Sequence, residues 1–270
     1  QGQLHGRVRL VFQPSEEKFP SGAPDMMRAG ALDGVSSIYA LHCYPNLPSG
    51  MIGVRSGPLT AASDMVEVRL TGRGGHTSRP HLTTDLVHAL SRVVVDVPAL
   101  LDRRLDPRTG VALVFGAIHA GNAANAIPEE GVVRGTVRML DRDAWKTVPD
   151  MVTEIIEDVV RATGARAETT YTRGVPPVIN DRVATAMFAG AASAALGETA
   201  VVEAPVSMGG EDFSWYLEQV PGAMARLGVG RPGEHLDLHQ ANFDVDEKAI
   251  GHGVRVMVHT ALAACASATG

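Results

Sequence analysis

Apolar residues recur along the middle of the chain with two periods, one typical of strands and one of helices. Alternation at Val66, Val68 and Leu70 predicts a half-buried strand. A spacing of three or four residues predicts amphipathic helices at residues 85–103 and 143–163. The buried face of the first helix would carry Leu86, Leu90, Val93, Val97 and Leu101, and that of the second Trp145, Val148, Val152, Ile155 and Val159.

Further strands are predicted at residues 111–118, 131–140 and 167–172. With the strand near residue 66 and the two helices they give the order β-α-β-β-α-β, the split βαβ arrangement of a ferredoxin-like unit. This unit would span residues 60–174.

The flanking segments, residues 1–59 and 175–270, predict two pieces of one α/β domain. An opening strand is expected where Val8, Leu10 and Phe12 alternate with other residues, and a second at residues 37–41, ending at His42. Helices are predicted at residues 23–29, 184–196, 211–217 and 250–264. The predicted fold class is therefore α/β, a domain with a central mixed sheet that an inserted βαββαβ unit interrupts.

Composition is that of an ordinary globular protein, with 270 residues, 45% of them hydrophobic and 20% charged. A net charge of −6 argues against a nucleic-acid partner, which calls for a basic surface. We identify no apolar run close to the roughly 18 residues of a membrane span. Two cysteines form no disulfide framework, so we expect a cytoplasmic protein. The first residue is Gln1 rather than methionine, so a signal segment before it stays an open alternative.

Two adjacent carboxylates, Glu16 and Glu17, follow the opening strand in the segment Gln13-Pro14-Ser15-Glu16-Glu17. Neighbouring side chains of an extended backbone point in opposite directions, so one carboxylate can hold a metal while the other faces a substrate or water. An isolated Glu-Glu pair is more often a solvated acidic turn, and that alternative stays open.

Three histidines extend the candidate site. His42 ends a predicted strand, where a lone histidine is more often structural, but imidazole with carboxylate suits zinc or manganese. His239 is preferred over His235, because no helical pattern supports a two-histidine zinc face there. His76 follows a glycine-rich turn at the expected start of a helix. That turn lacks the lysine of a P-loop, and no serine stands in a Gly-x-Ser-x-Gly elbow.

Taken together, these segments resemble the aminoacylase and carboxypeptidase-type family of dinuclear metallohydrolases. The nearest branch holds N-acyl-amino-acid amidohydrolases, hippurate hydrolases and indole-3-acetyl-amino-acid hydrolases. Each motif is weak alone, but their shared order over nearly the whole chain is specific. The motifs are Gln13-Pro14-x-Glu16-Glu17, Leu41-His42, Gly72-x-Gly-Gly-His76 with Pro80-His81, Asn125-Ala126-Ile127-Pro128, Gly135-Thr-Val-Arg138, Gly209-Gly-Glu211-Asp212-Phe213, and His239 before Phe243-Asp-x-Asp-Glu247.

The resemblance implies a catalytic domain of residues 1–59 and 175–270, interrupted by a lid at residues 60–174 that also forms a homodimer. It implies Glu16 as the general base, and Glu17, His42 and His239 as ligands of two divalent metals. Zinc is the first choice, and manganese, cobalt or nickel suits the same donors.

On the lid, the resemblance implies that His76 stabilises the oxyanion, across the dimer, and that Asn125 binds substrate. Arg138 is a candidate for the substrate carboxylate, and an arginine of this kind is equally often part of a structural ion pair. The implied substrates are N-acyl amino acids or short peptides.

The resembling branch also carries an upstream His-x-Cys-Gly-His-Asp motif, which this sequence lacks, since 15 residues precede Glu16. A catalytic zinc has three protein ligands as a rule. We therefore expect the site to be N-terminally incomplete and residues 1–270 alone to be inactive. The alternative is a non-catalytic remnant that dimerises or binds peptides.

Overall fold

The computed structural model describes residues 5–18, 20–231, 233–234 and 236–267. The chain divides into two compact units, the first made of residues 1–60, 178–207 and 211–270, and the second of residues 61–177 and 208–210. Helices accompany a mixed sheet in the first unit, so the predicted mixed α/β class is confirmed.

In chain order the elements are α1 (Ala23–Arg28), β1 (Ile38–Pro48), β2 (Ile52–Val54), β3 (Gly57–Thr60), β4 (Ala62–Thr71), β5 (Gly75–His76), α2 (Leu86–Arg104), β6 (Ala112–Ala120), β7 (Ala126–Ile127), β8 (Glu130–Met139), α3 (Arg142–Arg161), β9 (Arg166–Val175), β10 (Val178–Asn180), α4 (Arg182–Leu196), β11 (Val201–Glu203), α5 (Ser214–Leu217), β12 (Gly222–Gly230) and α6 (Lys248–Ser267).

The first unit is built on a four-stranded sheet in the order β1-β12-β2-β11. β1 runs parallel to β12, β12 antiparallel to β2, and β2 parallel to β11. β3 and β10 form a separate antiparallel pair. The helices α4 and α6 pack on each other and on β12.

Alternate residues of β12 face two different layers of this unit. Ala223 and Ala225 pack in a core with Phe188 of α4. Met224, between them, packs in a second core with Tyr216 of α5. Side chains of a strand alternate between its two faces, so every second residue of β12 faces the layer that holds α1 and α5.

The predicted opening strand is wrong, because residues 7–15 make no strand pairing in the structure. Val8, Leu10 and Phe12 are 50%, 73% and 84% exposed, as expected for a segment without a sheet neighbour. Val11, on the opposite side, packs against the core that contains Tyr216. The alternation in the sequence thus identified an extended segment correctly. It could not show whether another strand lies beside that segment, because strand pairing depends on residues elsewhere in the chain.

The expectation that no segment is apolar enough for a membrane span overlooked the C-terminal helix. By length and composition alone, α6 is long and apolar enough to cross a membrane, a test that the core helix of a globular protein also passes. Here one face of α6 is in a core, where Val256 is fully buried beside Phe188.

The second unit holds an antiparallel sheet in the order β6-β8-β4-β9, with α2 and α3 packed together and against the sheet. Asp85 caps α2 by accepting from the amide of His88, and Asp141 caps α3 by accepting from that of Ala144. All ten residues predicted for the inward faces of these helices are buried. A short ribbon of β5 and β7 completes the unit.

A carboxylate ties three elements of the second unit together. Asp64 of β4 is fully buried and accepts hydrogen bonds from the indole of Trp145, the hydroxyl of Tyr171 and the amide of Gly174, at 3.2, 2.9 and 2.8 Å. Burial and the Asp64 charge raise the pKa of Tyr171, which keeps its hydroxyl a donor.

We predict that Asp64→Ala lowers the free energy of unfolding by about 3 kcal/mol or more, because one buried and two partly buried donors lose their acceptor. Asp64→Asn keeps an acceptor oxygen and should cost clearly less. Urea unfolding followed by circular dichroism measures both, with the exposed Asp158→Ala on α3 as control. An Asp64→Ala protein as stable as the control would contradict this role.

Candidate metal centre

The loop that carries the paired glutamates is held on both sides. A Cβ atom on Gly22 would lie 2.1 Å from the carbonyl oxygen of Pro14, so glycine alone allows this close approach. Gln13 donates its side-chain amide to Asp212 and accepts from the hydroxyl of Tyr216. Ser15 has a φ of 60°, a left-handed conformation that is costly outside glycine. The loop is therefore fixed just before Glu16.

Three carboxyl groups meet beside this loop. One oxygen each of Glu16, Glu211 and Asp212 lies within 4.8 Å of the others. Burial, followed by the charges of Glu211, Glu17 and Asp212, raises the pKa of Glu16 to about 7. Burial also raises the pKa values of Glu211 and Asp212. Glu211 and Asp212 are buried and Glu16 is exposed beside them, so the cluster opens to solvent on the side of Glu16. A bound cation would reduce the repulsion among the three carboxylates.

His42 faces this cluster with a defined ring nitrogen. Its Nδ1 lies 2.7 Å from the carbonyl oxygen of Cys43, which accepts only, so Nδ1 carries the proton. Its Nε2 lies 4.0 Å from the carboxylate of Glu211. A histidine that donates one N–H to a carbonyl and leaves the other nitrogen free matches the usual arrangement of a metal ligand. Hydrogen bonding to the side chain of Cys43 and then to its carbonyl raises the pKa of His42, and burial opposes this shift, so a cation would compete with a proton for Nε2.

The position of His42 differs from the sequence prediction in one respect. The residue does not end a short strand but lies in the middle of β1, opposite Arg226 of β12. Ala40 pairs with Met224 in the same register, so His42 and Arg226 project toward the layer of α1 and α5. The strand pairing thus places one candidate ligand and one cationic side chain on the same face.

Arg226 is 5% exposed and provides a positive charge behind the carboxylates. Its guanidinium lies 5.8 Å from the ring centre of Tyr44. Burial lowers the pKa of Arg226, and the charge of Glu211 opposes that shift. The arginine therefore offsets part of the repulsion among the acids.

Glu17 and His239 form a second, more exposed part of the site. His239 Nδ1 lies 3.9 Å from an oxygen of Glu17, and their side chains are 73% and 74% exposed. His239 has a φ of 63°, and Ser15 and His239 are the two non-glycine residues with positive φ in the described part of the chain. His235, the alternative histidine, lies outside the described residues.

These donors fit divalent cations. Zinc, manganese and similar ions bind carboxylate oxygens and imidazole nitrogens, and here two segments supply carboxylates. The histidine offers one ring nitrogen while the other already donates a hydrogen bond. Adjacent residues Glu16 and Glu17 approach different neighbours, Glu16 the buried acids and Glu17 the exposed histidine. The two residues lie in a turn rather than in an extended segment, so the separation comes from the turn and not from the alternation of a strand.

The second unit brings two of the other predicted residues together. His76 in β5 pairs with Ala126 in β7, and the amide of Thr77 donates to the carbonyl of Asn125 at 3.2 Å. The expected position of His76 at a helix start is wrong, because α2 begins at Leu86, after a short 3-10 turn.

Arg138 lies in β8, where its Nη1 donates to the carbonyl of Met208 at 3.3 Å. Its candidate role toward a substrate carboxylate stays a prediction.

Sequence reasoning gave no role to three residues at the centre of the site. Glu211 and Asp212 were part of a recognised motif, and their signal was an acidic pair flanked by glycines and by aromatic residues. Arg226 was missed with the whole of β12, whose residues are buried on both faces and show no alternation.

The raised pKa of Glu16 predicts how stability changes with pH in protein freed of metal. Between its ordinary value of 4.5 and about 7 the folded chain binds more protons than the unfolded chain, so stability falls as pH rises through this window. Glu16→Gln should make this fall less steep. Melting temperatures between about pH 5 and 8 in a chelator measure it.

The matched control is Glu157→Gln, an exposed carboxylate on α3, which should keep the wild-type slope. Equal slopes for Glu16→Gln and the unaltered protein would show that Glu16 is as solvated as an ordinary surface acid.

Comparison with known proteins places this site in a family. The family model of peptidase family M20/M25/M40 matches residues 1–263. A Bacillus subtilis N-acetyl-L-cysteine deacetylase is 34% identical over 250 residues, which cover 93% of this chain and 59% of that protein. A Rhodococcus jostii protein named as a putative glutamate–cysteine ligase is 50% identical over 253 residues, 93% of this chain and 32% of its own length.

Solved structures agree with the sequence matches. A dinuclear metal-binding M20 peptidase from Bacillus subtilis superposes with a TM-score of 0.78 and 31% identity, covering 97% of this chain and 66% of that one. This chain therefore spans between about a third and two thirds of the length of each of these relatives. The chain belongs to peptidase family M20/M25/M40.

Proposed function

We propose that the protein hydrolyses the amide bond of N-acyl amino acids, with short peptides as related substrates, and depends on two divalent metal ions. The observation that carries this proposal is the separation of Glu16 from Glu17. Glu16 lies in the acidic cluster with Glu211 and Asp212, while Glu17 approaches His239. Relatives named as an N-acetyl-L-cysteine deacetylase and an N-acyl-L-amino acid amidohydrolase support the substrate class.

The proposed ligands are Glu17, His42 and His239, with Glu211 beside His42. Bound divalent metal would polarise the amide carbonyl and acidify water, with zinc favoured and manganese, cobalt or nickel compatible. The Cys43 carbonyl holds the His42 ring so that Nε2 stays available.

Glu16 is proposed as the general base. Its carboxylate would accept a proton from the attacking water and return it to the leaving amine. Burial first, and then the neighbouring acids, raise the pKa of Glu16 to about 7, so Glu16 is suited to both steps near neutral pH. The charge of His42 opposes the rise in the pKa of Glu16, and that of Arg226 opposes the rise in the pKa of Glu211.

The second unit is proposed as the ferredoxin-like lid, residues 60–174, with Asn125 and Arg138 as substrate-binding residues and His76 as the donor to the oxyanion. Its order β4-α2-β6-β8-α3-β9, apart from the β5–β7 ribbon, supports this proposal. We propose that the lid also forms a homodimer in which His76 serves the partner's site. Val114 and Ile118, exposed on the edge strand β6, and Val95 on α2 supply apolar surface for it.

The two glutamates give the first functional test. Glu16→Gln should keep metal content near that of the unaltered protein and lower turnover by roughly 10²–10⁴-fold, because only proton transfer is lost. Glu17→Gln should lower metal content itself. Elemental analysis after dialysis and release of free amino acid from an N-acyl amino acid measure the two quantities. These and the kinetic measurements below use a longer chain that spans the full length of the relatives, because residues 1–270 cover 59% and 66% of two of them and the sequence predicts no turnover from residues 1–270 alone.

Glu157→Gln serves as the control for loss of a carboxylate in the folded protein. If Glu16→Gln and Glu17→Gln both kept full metal content and turnover, the segment would be a solvated acidic turn and the proposed function would be wrong.

Mixing two inactive variants tests the dimer. If His76 acts in the partner's site, one of the two sites in a heterodimer of Glu16→Gln and His76→Ala is intact. An equal, co-expressed mixture should then recover about a quarter of the unaltered activity. If His76 acts within its own chain, the mixture stays inactive.

The proposed interface has its own control pair. Ile118→Lys on β6 should shift the protein toward monomer in sedimentation velocity, whereas Ile250→Lys, at another exposed isoleucine on α6, should not. An unchanged dimer in the Ile118 variant would exclude this edge of the sheet as the interface.

A further inference from the structure

Ser78 holds the ring of His76, which lies two positions earlier in the chain. Its Nδ1 lies 3.1 Å from the backbone nitrogen of Ser78 and 2.8 Å from the Ser78 hydroxyl oxygen. The backbone around it is also fixed, because β5 pairs with β7 and the amide of Arg79 donates to the carbonyl of His76 at 2.9 Å. Ring and backbone are thus held by one turn.

This contact determines which ring nitrogen carries the proton. A backbone N–H can only donate, so Nδ1 must offer its lone pair, and the hydroxyl of Ser78 donates to the same nitrogen. In a neutral imidazole the other nitrogen, Nε2, then bears the hydrogen. In the opposite tautomer Nδ1–H would face the backbone N–H of Ser78 and that hydrogen bond would be lost, while the Ser78 hydroxyl would have to turn and accept instead.

We propose that Ser78 is a positioning residue that holds His76 in the Nε2–H tautomer, so that Nε2 is the donor to the developing oxyanion. The inference rests on the proposed function, in which His76 meets that charge. A donor fixed before the reaction stabilises a transition state more than one that must reorient, because no reorganisation is needed as the charge forms. The loss on removing the hydroxyl should therefore fall on kcat and leave KM unchanged.

The test combines a spectroscopic and a kinetic measurement. Nitrogen NMR of histidine-labelled protein, with His76 assigned by the signals absent from His76→Asn, should show Nδ1 as the unprotonated nitrogen. Ser78→Ala should shift the two His76 signals toward each other and lower kcat about fivefold, the usual effect of one hydrogen bond. Ser78→Thr keeps the hydroxyl and should restore both. Ser91→Ala, whose hydroxyl donates to the Val87 carbonyl in α2, is the matched control and should change neither.

The outcomes separate this inference from the proposed function. If His76→Asn leaves kcat unchanged, the oxyanion role of His76 is wrong whatever the ring signals show. If His76→Asn lowers kcat but Nδ1 carries the proton in the unaltered protein, the role of Ser78 alone is overturned. A Ser78→Ala protein with unchanged ring signals would overturn it as well.

Discussion

Repulsion among three carboxyl groups in one partly dehydrated volume is the interaction on which the candidate metal centre depends. Glu16, Glu211 and Asp212 approach one another from two segments that lie far apart in sequence. Bringing them together costs free energy unless protons, arginine or a metal ion compensate the charge. In the absence of metal, Arg226 and a proton on Glu16 share that task.

The rest of the first unit can be understood as a frame that enforces this approach. The parallel pairing of β1 with β12 places His42 and Arg226 on one face. Gly22 admits the carbonyl of Pro14, and Gln13 bridges Asp212 and Tyr216. The strand pairing and the close approach at Gly22 are backbone packing that does not depend on the charge of the acids, and Gln13 stabilises the Asp212 carboxylate directly.

How much the sequence predicts depends on whether the signal is local. The residues predicted for the inward faces of α2 and α3 are correct, because a 3.6-residue periodicity over a long segment is a property of the helix itself. The segment around Leu10 alternates like a strand but has no pairing partner, so the predicted strand is wrong. The central strand β12 shows no alternation, so the sequence did not predict it. Glu16, Glu17, His42 and His239 could be chosen by residue type and motif order. Arg226 could not, since its place follows from register with β1.

The left-handed backbone at Ser15 and His239 has a consequence for how tightly a metal can be held. Each non-glycine residue in this conformation carries about 1–2 kcal/mol of unfavourable backbone energy, and these two lie next to Glu16 and at a proposed ligand. This strain is present in the folded chain without metal, so it is a cost to folding rather than to binding. At the proposed metal site Glu16 and His239 would therefore already be placed when a divalent ion arrives, and the ligand bonds would not have to order these two residues.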